Sequence, residues 1–450
     1  MVVSDNIFLV VVDTLSAFHL PCYGYDKDTA PFISRLAEQN MKIEFGYSNS
    51  PWTVPSHASL FSGELPYHHG TTSQNMRFDS RSFVQDLKEE KYRTIGISNN
   101  ALVSNNLGFD RGFDEFYDDK EEIYFKSEGL DALATVLEKE RRHAYDYKLY
   151  KYLDLLKESI YHRDFRSILE GGRYLLEDSV MRDSGAEATN NFLIQKVKYS
   201  SSGRNFYFVN YMEPHQPYLP PAEFASEFLD SPEEAKKVYK EEIHGEGRDD
   251  KRSEMRDEII GLYDAEVRYL DSKLKELYMF LESELDDFVM IFVGDHGENL
   301  GEYGNEWGHQ KGIWEKLVRV PIIIAGPEIE SRDIESNISL RNIGDFIRGS
   351  DVEEITSEKV FAEYYGWRGF LEYADENIEN KNISRKEADN QSKCMIRGQD
   401  GFIKNTELEA SGFRAEKDKR GRGNLSKDIR EKLEQQIEKK FDFDIMGIDI

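Results

Sequence analysis

Thr53 stands in the stretch PWTVPSHASLF, at the head of a run with helical character. Pro55 suits the first turn of a helix, where its missing N–H costs nothing. The helix therefore begins near this point and turns its free N–H groups back toward residue 53, a place that suits an anion such as phosphate or sulfate. The threonine then has two readings. It is the N-cap of its own helix, or it is a metal-assisted nucleophile, because an unaided hydroxyl attacks poorly at neutral pH. The other candidates are Asp13, the Asp295–His296 pair inside GDHGE, and His215 inside EPH. Each follows an apolar run. Two carboxylates and an imidazole meeting at one edge make a site for a divalent cation, and glycines on both sides of Asp295 and His296 let the backbone turn there.

To bring these groups together, several strands must end at one edge. NIFLVVVDT, YRTIGISNN, NFYFVNYMEPH, DFVMIFVGDHGE and VRVPIIIAGP are apolar runs of the kind found in strands buried on both faces. They alternate with helical patterns such as PFISRLAEQ and YDAEVRYLDSKLKELYMFLE. The alternation predicts an α/β fold, a doubly wound and mostly parallel sheet flanked by helices. Ligands of such sheets bind beyond the carboxyl ends of the strands. Residues from about 120 to 185 break the rhythm and read as a helical insertion that caps the site. The expected division is an α/β catalytic domain over 1–335 and a small C-terminal antiparallel subdomain over 336–450. The latter holds a hairpin, KCMIRGQDGFIKNT, with Gln399, Asp400 and Gly401 near its turn. It ends in an amphipathic helix capped by Ser426. On the long helix, Asp264 and Asp271 are expected to pair with Arg268 or Lys273. His68 and His69 read as structural, and GFDRGFDEF as a loop packed near the site.

Composition limits the partners. With 58 basic and 86 acidic residues the net charge is −28, which argues against nucleic acid or an anionic membrane as the main partner. The acidic residues are spread along the chain and read as a solvated surface. Cys22 and Cys394 form no metal-type pair. The opening MVVSDNIFLVVVD has no basic leader region, and its apolar run is too short to span a bilayer. A soluble, cytoplasmic protein without an integral membrane segment is expected.

Taken together and in order, VVVDTL with YGY after it, PWTVPSHASLFSGELPYHHG, YRTIGISNN, GFDRGFDEFYD, NYMEPHQPYLPP, YDAEVRYLDSKL and GDHGENLGEYGNEWGHQKGIWEKLVRVPIIIAGP resemble the sulfatase family of the alkaline-phosphatase superfamily. The resemblance covers about residues 5 to 327 apart from the insertion. It implies that Asp13, Asp295 and His296 hold one divalent ion (manganese, zinc, magnesium or calcium), and that Thr53 is both nucleophile and metal ligand. His215 and His309, the latter in WGH, fall at positions that contact the ester oxygens or the leaving group. Asn100 falls at the substrate edge.

The departures are equally specific. Sulfatases carry a cysteine or serine, oxidised to formylglycine, followed by Pro and Arg. Here Thr53 precedes Val54, Pro55, Ser56 and His57. His57 replaces the arginine and is read as orienting Thr53, binding substrate or merely capping packing. Thr14 stands where many sulfatases carry a second acidic ligand, and Phe18 where relatives have Asp. The set resembles family branches that use threonine to move phosphoryl-containing groups. Three readings follow: cleavage of a phosphate-type ester through Thr53, a sulfuric ester hydrolase working without formylglycine, or a catalytically silent binding member. The substrate is expected to be a small-molecule, glycan or lipid ester.

Overall fold

The computed structural model describes residues 4–118, 123, 185–200, 203–239, 249–309, 312–366, 392–397, 400–405 and 411–414. The expected insertion, apart from residues 123 and 185, and the expected terminal helix lie outside the described residues.

Strands are numbered in chain order. The first six are β1 (Asn6–Val12), β2 (Met41–Tyr47), β3 (Arg93–Ser98), β4 (Glu115–Tyr117), β5 (Asn205–Tyr211) and β6 (Val289–Gly294). A small hairpin follows, β7 (Asn299–Gly301) with β8 (Glu306–Gly308), and then β9 (Ile322–Ala325), β10 (Arg332–Ser339) and β11 (Thr356–Ser357). The main sheet has the order β11-β10-β2-β9-β6-β1-β5-β3-β4. From β6 to β4 all neighbours are parallel, as is β2 with β10. The run PIIIA is strand β9, but it lies antiparallel to both β6 and β2. An unbroken apolar run reports burial on both faces and carries no sign of direction. Strands β2 and β10 escaped the sequence reading, because Lys42, Glu44 and the exposed first half of β10 interrupt their apolar pattern. β11 closes the sheet as an antiparallel edge.

The period-two alternation of side chains along a strand divides β1 between two cores. Ile7, Leu9 and Val11 enter one, and Phe8, Val10 and Val12 enter the other. The first core is covered by α2 (Thr53–Ser62) and α3 (Phe83–Glu89), the second by α1 (Pro31–Gln39), α4 (Ala186–Lys198) and α5 (Arg256–Glu284). Helices on both faces force the central strands β1, β5 and β6 to read as largely apolar.

A separate antiparallel sheet joins β12 (Lys359–Tyr364), β13 (Ser392–Arg397), β14 (Asp400–Asn405) and β15 (Ser411–Arg414) in that order. The expected hairpin is β13–β14, with Arg397 opposite Asp400, so Asp400 and Gly401 belong to the strand. This sheet is stitched to the first: Asn49 Nδ2 donates to Phe361 O, and Tyr67 N–H donates to Glu363 Oε2.

The two acids of α5 do more than pair within their helix. Asp264 is fully buried and accepts from His19 Nδ1, Tyr25 OH and Lys27 Nζ, each at 2.8 Å. Asp271 does lie 3.6 Å from Arg268, but its carboxylate also accepts from the backbone N–H groups of Phe32 and Ile33. It thereby caps α1, whose N-terminus begins at a proline and has no cap of its own. Lys273 turns instead to Glu187 and Glu276.

Candidate active site

Register brings the two candidate carboxylates together. Val12 pairs with Gly294 across β1 and β6, so the residues that follow, Asp13 and Asp295, leave adjacent strands side by side. The Asp295 N–H donates to Val12 O and the Asp13 N–H to Tyr211 O at the end of β5. Beyond β5 the chain reaches Glu213 and His215. Gly294 and Gly297 frame the Asp295–His296 pair because neighbouring backbone comes very close. A Cβ on Gly297 would lie 1.9 Å from the Lys316 carbonyl oxygen, and one on Gly294 2.5 Å from that of Leu15. Close approach, with no left-handed turn, is what these glycines supply.

Thr53 is the first residue of α2. The N-cap is Trp52, and no side chain caps the helix, so the N-cap reading of Thr53 fails. Its Oγ1 lies 3.2 Å from His296 Nε2. The His296 Nδ1–H donates to Gly297 O at 2.9 Å. Burial, followed by the nearby His309, pushes the His296 pKa well below the usual range. The ring is therefore neutral with a lone pair on Nε2, and the Thr53 hydroxyl donates to it. Ser56, one turn into α2, donates to Asp295 O at 2.6 Å and bonds Ser48 Oγ at 2.9 Å. This fastens the helix start to the end of β6.

Asp13, Asp295 and His296 offer ligand atoms that all lie within 4.8 Å of one another, and all three residues are buried. Asp295 Oδ1 accepts from the N–H groups of Thr14 and His296. Asp295 Oδ2 and Asp13 Oδ1 are buried without a hydrogen-bond partner, although buried carboxylate oxygens are ordinarily satisfied. Burial raises the pKa of both acids. For Asp295 the Asp13 charge adds to it, while His215, His309 and the Asn100 amide work against it at Asp13. Two orphaned carboxylate oxygens beside an imidazole lone pair and a hydroxyl fit a divalent cation. Thr14 adjoins them with φ +55°, a left-handed conformation rare for a β-branched residue. It is held there by its N–H to Asp295 and by Tyr263 OH, which donates to Thr14 O at 2.7 Å.

Three histidine rings cluster at this edge. The His296–His309 and His309–His215 centroids are 4.6 and 5.5 Å apart. His215 Nδ1 donates to Gln216 O, and His309 Nδ1 lies 3.1 Å from Glu298 Oε1. Burial works to lower the His309 pKa, but the Glu298 carboxylate, through its charge and hydrogen bond, and the Asp13 charge together outweigh it and the net shift is upward.

Asn100 and His57 sit behind the ligands. Asn100 Nδ2 donates to Asp13 Oδ2 and its Oδ1 accepts from Leu102 N–H, so it orients a candidate ligand. His57 Nδ1 donates to Thr53 O at 3.0 Å and lies 3.6 Å from Asp295 Oδ2. Its ring packs against Phe61, Phe109 and Phe208, and burial pushes its pKa down to about 4. The GFDRGFDEF segment does pack here, through Phe109 and Phe113 against Phe61, but its last two residues, Glu115 and Phe116, are not loop and open β4. His69 is structural: it accepts from Thr71 N–H and bonds Ser59 Oγ. Two buried acids were missed. Glu213 accepts from Ala186 N–H at the start of α4, and Glu298 meets His309. An acid two residues beyond a candidate ligand was the available signal for Glu298.

The α/β sheet thus carries at its carboxyl edge a cluster of two carboxylates, an imidazole and a hydroxyl, a donor set that fits a divalent cation. The chain belongs to the sulfatase family, whose model, Sulfatase, matches residues 5–349. It is 23% identical over 355 residues to choline-sulfatase of Rhizobium meliloti (strain 1021), a match covering 72% of this chain and 63% of that one. It is 22% identical over 391 residues to N-acetylglucosamine-6-O-sulfatase of Bacteroides thetaiotaomicron, covering 74% and 65%. The chain thus spans less than two thirds of the length of these curated relatives. The phosphonate monoester hydrolase of Agrobacterium radiobacter shares the fold with a TM-score of 0.66 at 15% identity, covering 99% of this chain and 96% of that one. Among the described residues, no helix is long and apolar enough to cross a membrane.

Proposed function

We propose that the protein is a metal-dependent hydrolase or transferase that cleaves a phosphate-type ester of a small molecule, glycan or lipid, with Thr53 as nucleophile. The observation that carries this is the Thr53 hydroxyl, first in its helix and uninvolved in capping, 3.2 Å from His296 Nε2 in a cluster with two orphaned carboxylate oxygens. Asp13, Asp295, His296 and Thr53 would hold one divalent ion, which when bound supplies positive charge to the ester oxygens and lowers the hydroxyl pKa. Thr53 Oγ1, its proton released to water, attacks the central atom, forming a threonine ester as the bond to the leaving oxygen breaks. By position, the Thr53 and Val54 N–H groups at the start of α2 have no intrahelical acceptor and face the developing negative charge. His215 and His309 border the cluster and supply hydrogen bonds and the leaving-group proton. Water or an acceptor alcohol then takes the group from Thr53.

The names of the sulfatase relatives favour a second reading, hydrolysis of a sulfuric ester without formylglycine. The test compares an aryl phosphate monoester, an aryl phosphate diester and an aryl sulfate. Wild type and Thr53→Ala are assayed metal-stripped and then with manganese, magnesium, calcium or zinc. Metal-dependent phosphate ester turnover, lost in Thr53→Ala, is expected. Preferential sulfate turnover supports the second reading. Turnover unaffected by Thr53→Ala refutes the nucleophile, and ion binding without turnover of any ester identifies a silent binding member.

A further inference from the structure

We propose that Glu298 is the positioning residue that makes His309 the proton donor to the leaving oxygen, an inference that rests on the ester-cleaving reading above. The hairpin register specifies the pair. Asn299 lies opposite Gly308, and Leu300 opposite Trp307. Glu298 and His309 therefore form the next rung, one residue before β7 and one after β8. Both are buried, Glu298 completely. His309 Nδ1 is 3.1 Å from Oε1 and 3.3 Å from Oε2. A carboxylate can only accept, so Nδ1 carries the hydrogen and the reacting nitrogen is Nε2.

A structural role explains this pair poorly. Among the described residues Glu298 has no Lys or Arg ion partner. A buried carboxylate matched only with an imidazole is costly, and glutamine would close the same rung without that cost. The geometry is instead that of a carboxylate fixing an imidazole's tautomer and stabilising its cationic form. The ring so fixed lies with its centroid 4.6 Å from that of His296, tilted by 49°, and His296 Nε2 meets the proposed nucleophile. As the bond to the leaving oxygen breaks, the His309 Nε2 proton passes to that oxygen. The ring is left neutral, with Nδ1–H still on Glu298.

The pair is tested with and without turnover. Long-range proton–nitrogen spectra of histidine-labelled protein report His309 as protonated at Nδ1 in wild type, with that preference lost in Glu298→Met, which has no oxygen to accept the bond. A ring protonated only at Nε2 in wild type overturns the proposal whatever the activity. In kinetics, Glu298→Gln lowers kcat on a phenyl ester by about 10²-fold, within the range of general acid catalysis. On a dinitrophenyl ester, whose leaving group needs no proton, kcat falls only about threefold, and KM stays within about twofold on both. Adding Glu298→Gln to His309→Gln costs nothing further. Equal losses on the two esters, or additive losses in the double variant, overturn the proposal. Failure of the function reading appears separately, as turnover that survives Thr53→Ala, and the spectra then still decide the pair.

Discussion

Replacing Asp295 with Asn separates ion binding from folding. Asn can keep the acceptor that takes the Thr14 and His296 N–H groups, so the local backbone has no reason to move. What disappears is one of the cluster's two buried carboxylate oxygens without a hydrogen-bond partner, Asp295 Oδ2 and Asp13 Oδ1. The ligand atoms of this cluster lie within 4.8 Å of one another. At an effective dielectric of about 20, two unit charges at that separation repel by ~3.5 kcal/mol. Proton uptake by the pair relieves part of this, so the ion-free variant is expected to be ~1–3 kcal/mol more stable than ion-free wild type. Wild type should gain ~2.7 kcal/mol at an ion concentration 100 times Kd, and the variant almost none. At ~2.1 cal/mol/K per residue, a chain of 450 residues shifts by about 1 °C per kcal/mol. Differential scanning fluorimetry with chelator and then with manganese or zinc reads both effects. An ion-free variant that melts below wild type, or one that keeps the full ion-induced shift, would refute the reasoning.

Three further outcomes follow from the surrounding structure. Asp264→Ala removes the buried acceptor shared by His19, Tyr25 and Lys27 and should cost ~3–5 kcal/mol in urea unfolding, as broken buried pairs do; Arg268→Ala, which leaves that hub intact, should cost less than ~1 kcal/mol. Gly297→Ala drives a methyl into the Lys316 carbonyl and should destabilise by at least ~1–3 kcal/mol, with loss of ion binding by titration calorimetry. For Glu115, burial alone would raise the pKa, but hydrogen bonds from Lys196, Tyr117 and Arg93 bring it from 4.5 down to about 2. The folded state therefore binds this proton more weakly than the unfolded chain. The contribution is complete above pH 4.5 and is lost as pH falls toward 2, so the stability advantage of wild type over Glu115→Gln should shrink across that window.

The chain's own letters determined the sheet, most of its strands and the metal-ligand candidates. Apolar runs that end in Asp13 and in Asp295–His296 are local signals: a strand buried on both faces needs unbroken apolar residues, and its carboxyl end is where polar ligands emerge. Direction and pairing are not local. β9 reads like its parallel neighbours, yet runs against them, and β2 was hidden by Lys42 and Glu44, which turn to each other at 3.1 Å. Asp264 and Asp271 appeared to belong to their own helix, while folding gave them partners more than 200 positions away. The same holds at the site. Sequence offered Thr53 as N-cap or nucleophile; the N-cap at Trp52 removed the first reading, and folding set the hydroxyl against His296, 243 residues distant. Asn100 met Asp13, and Glu298 met His309, only once folding and the hairpin rung set them together. Residue type and burial pattern are written in short stretches, whereas which buried group faces which is fixed by strand register and helix packing, and those exist only once the chain has folded.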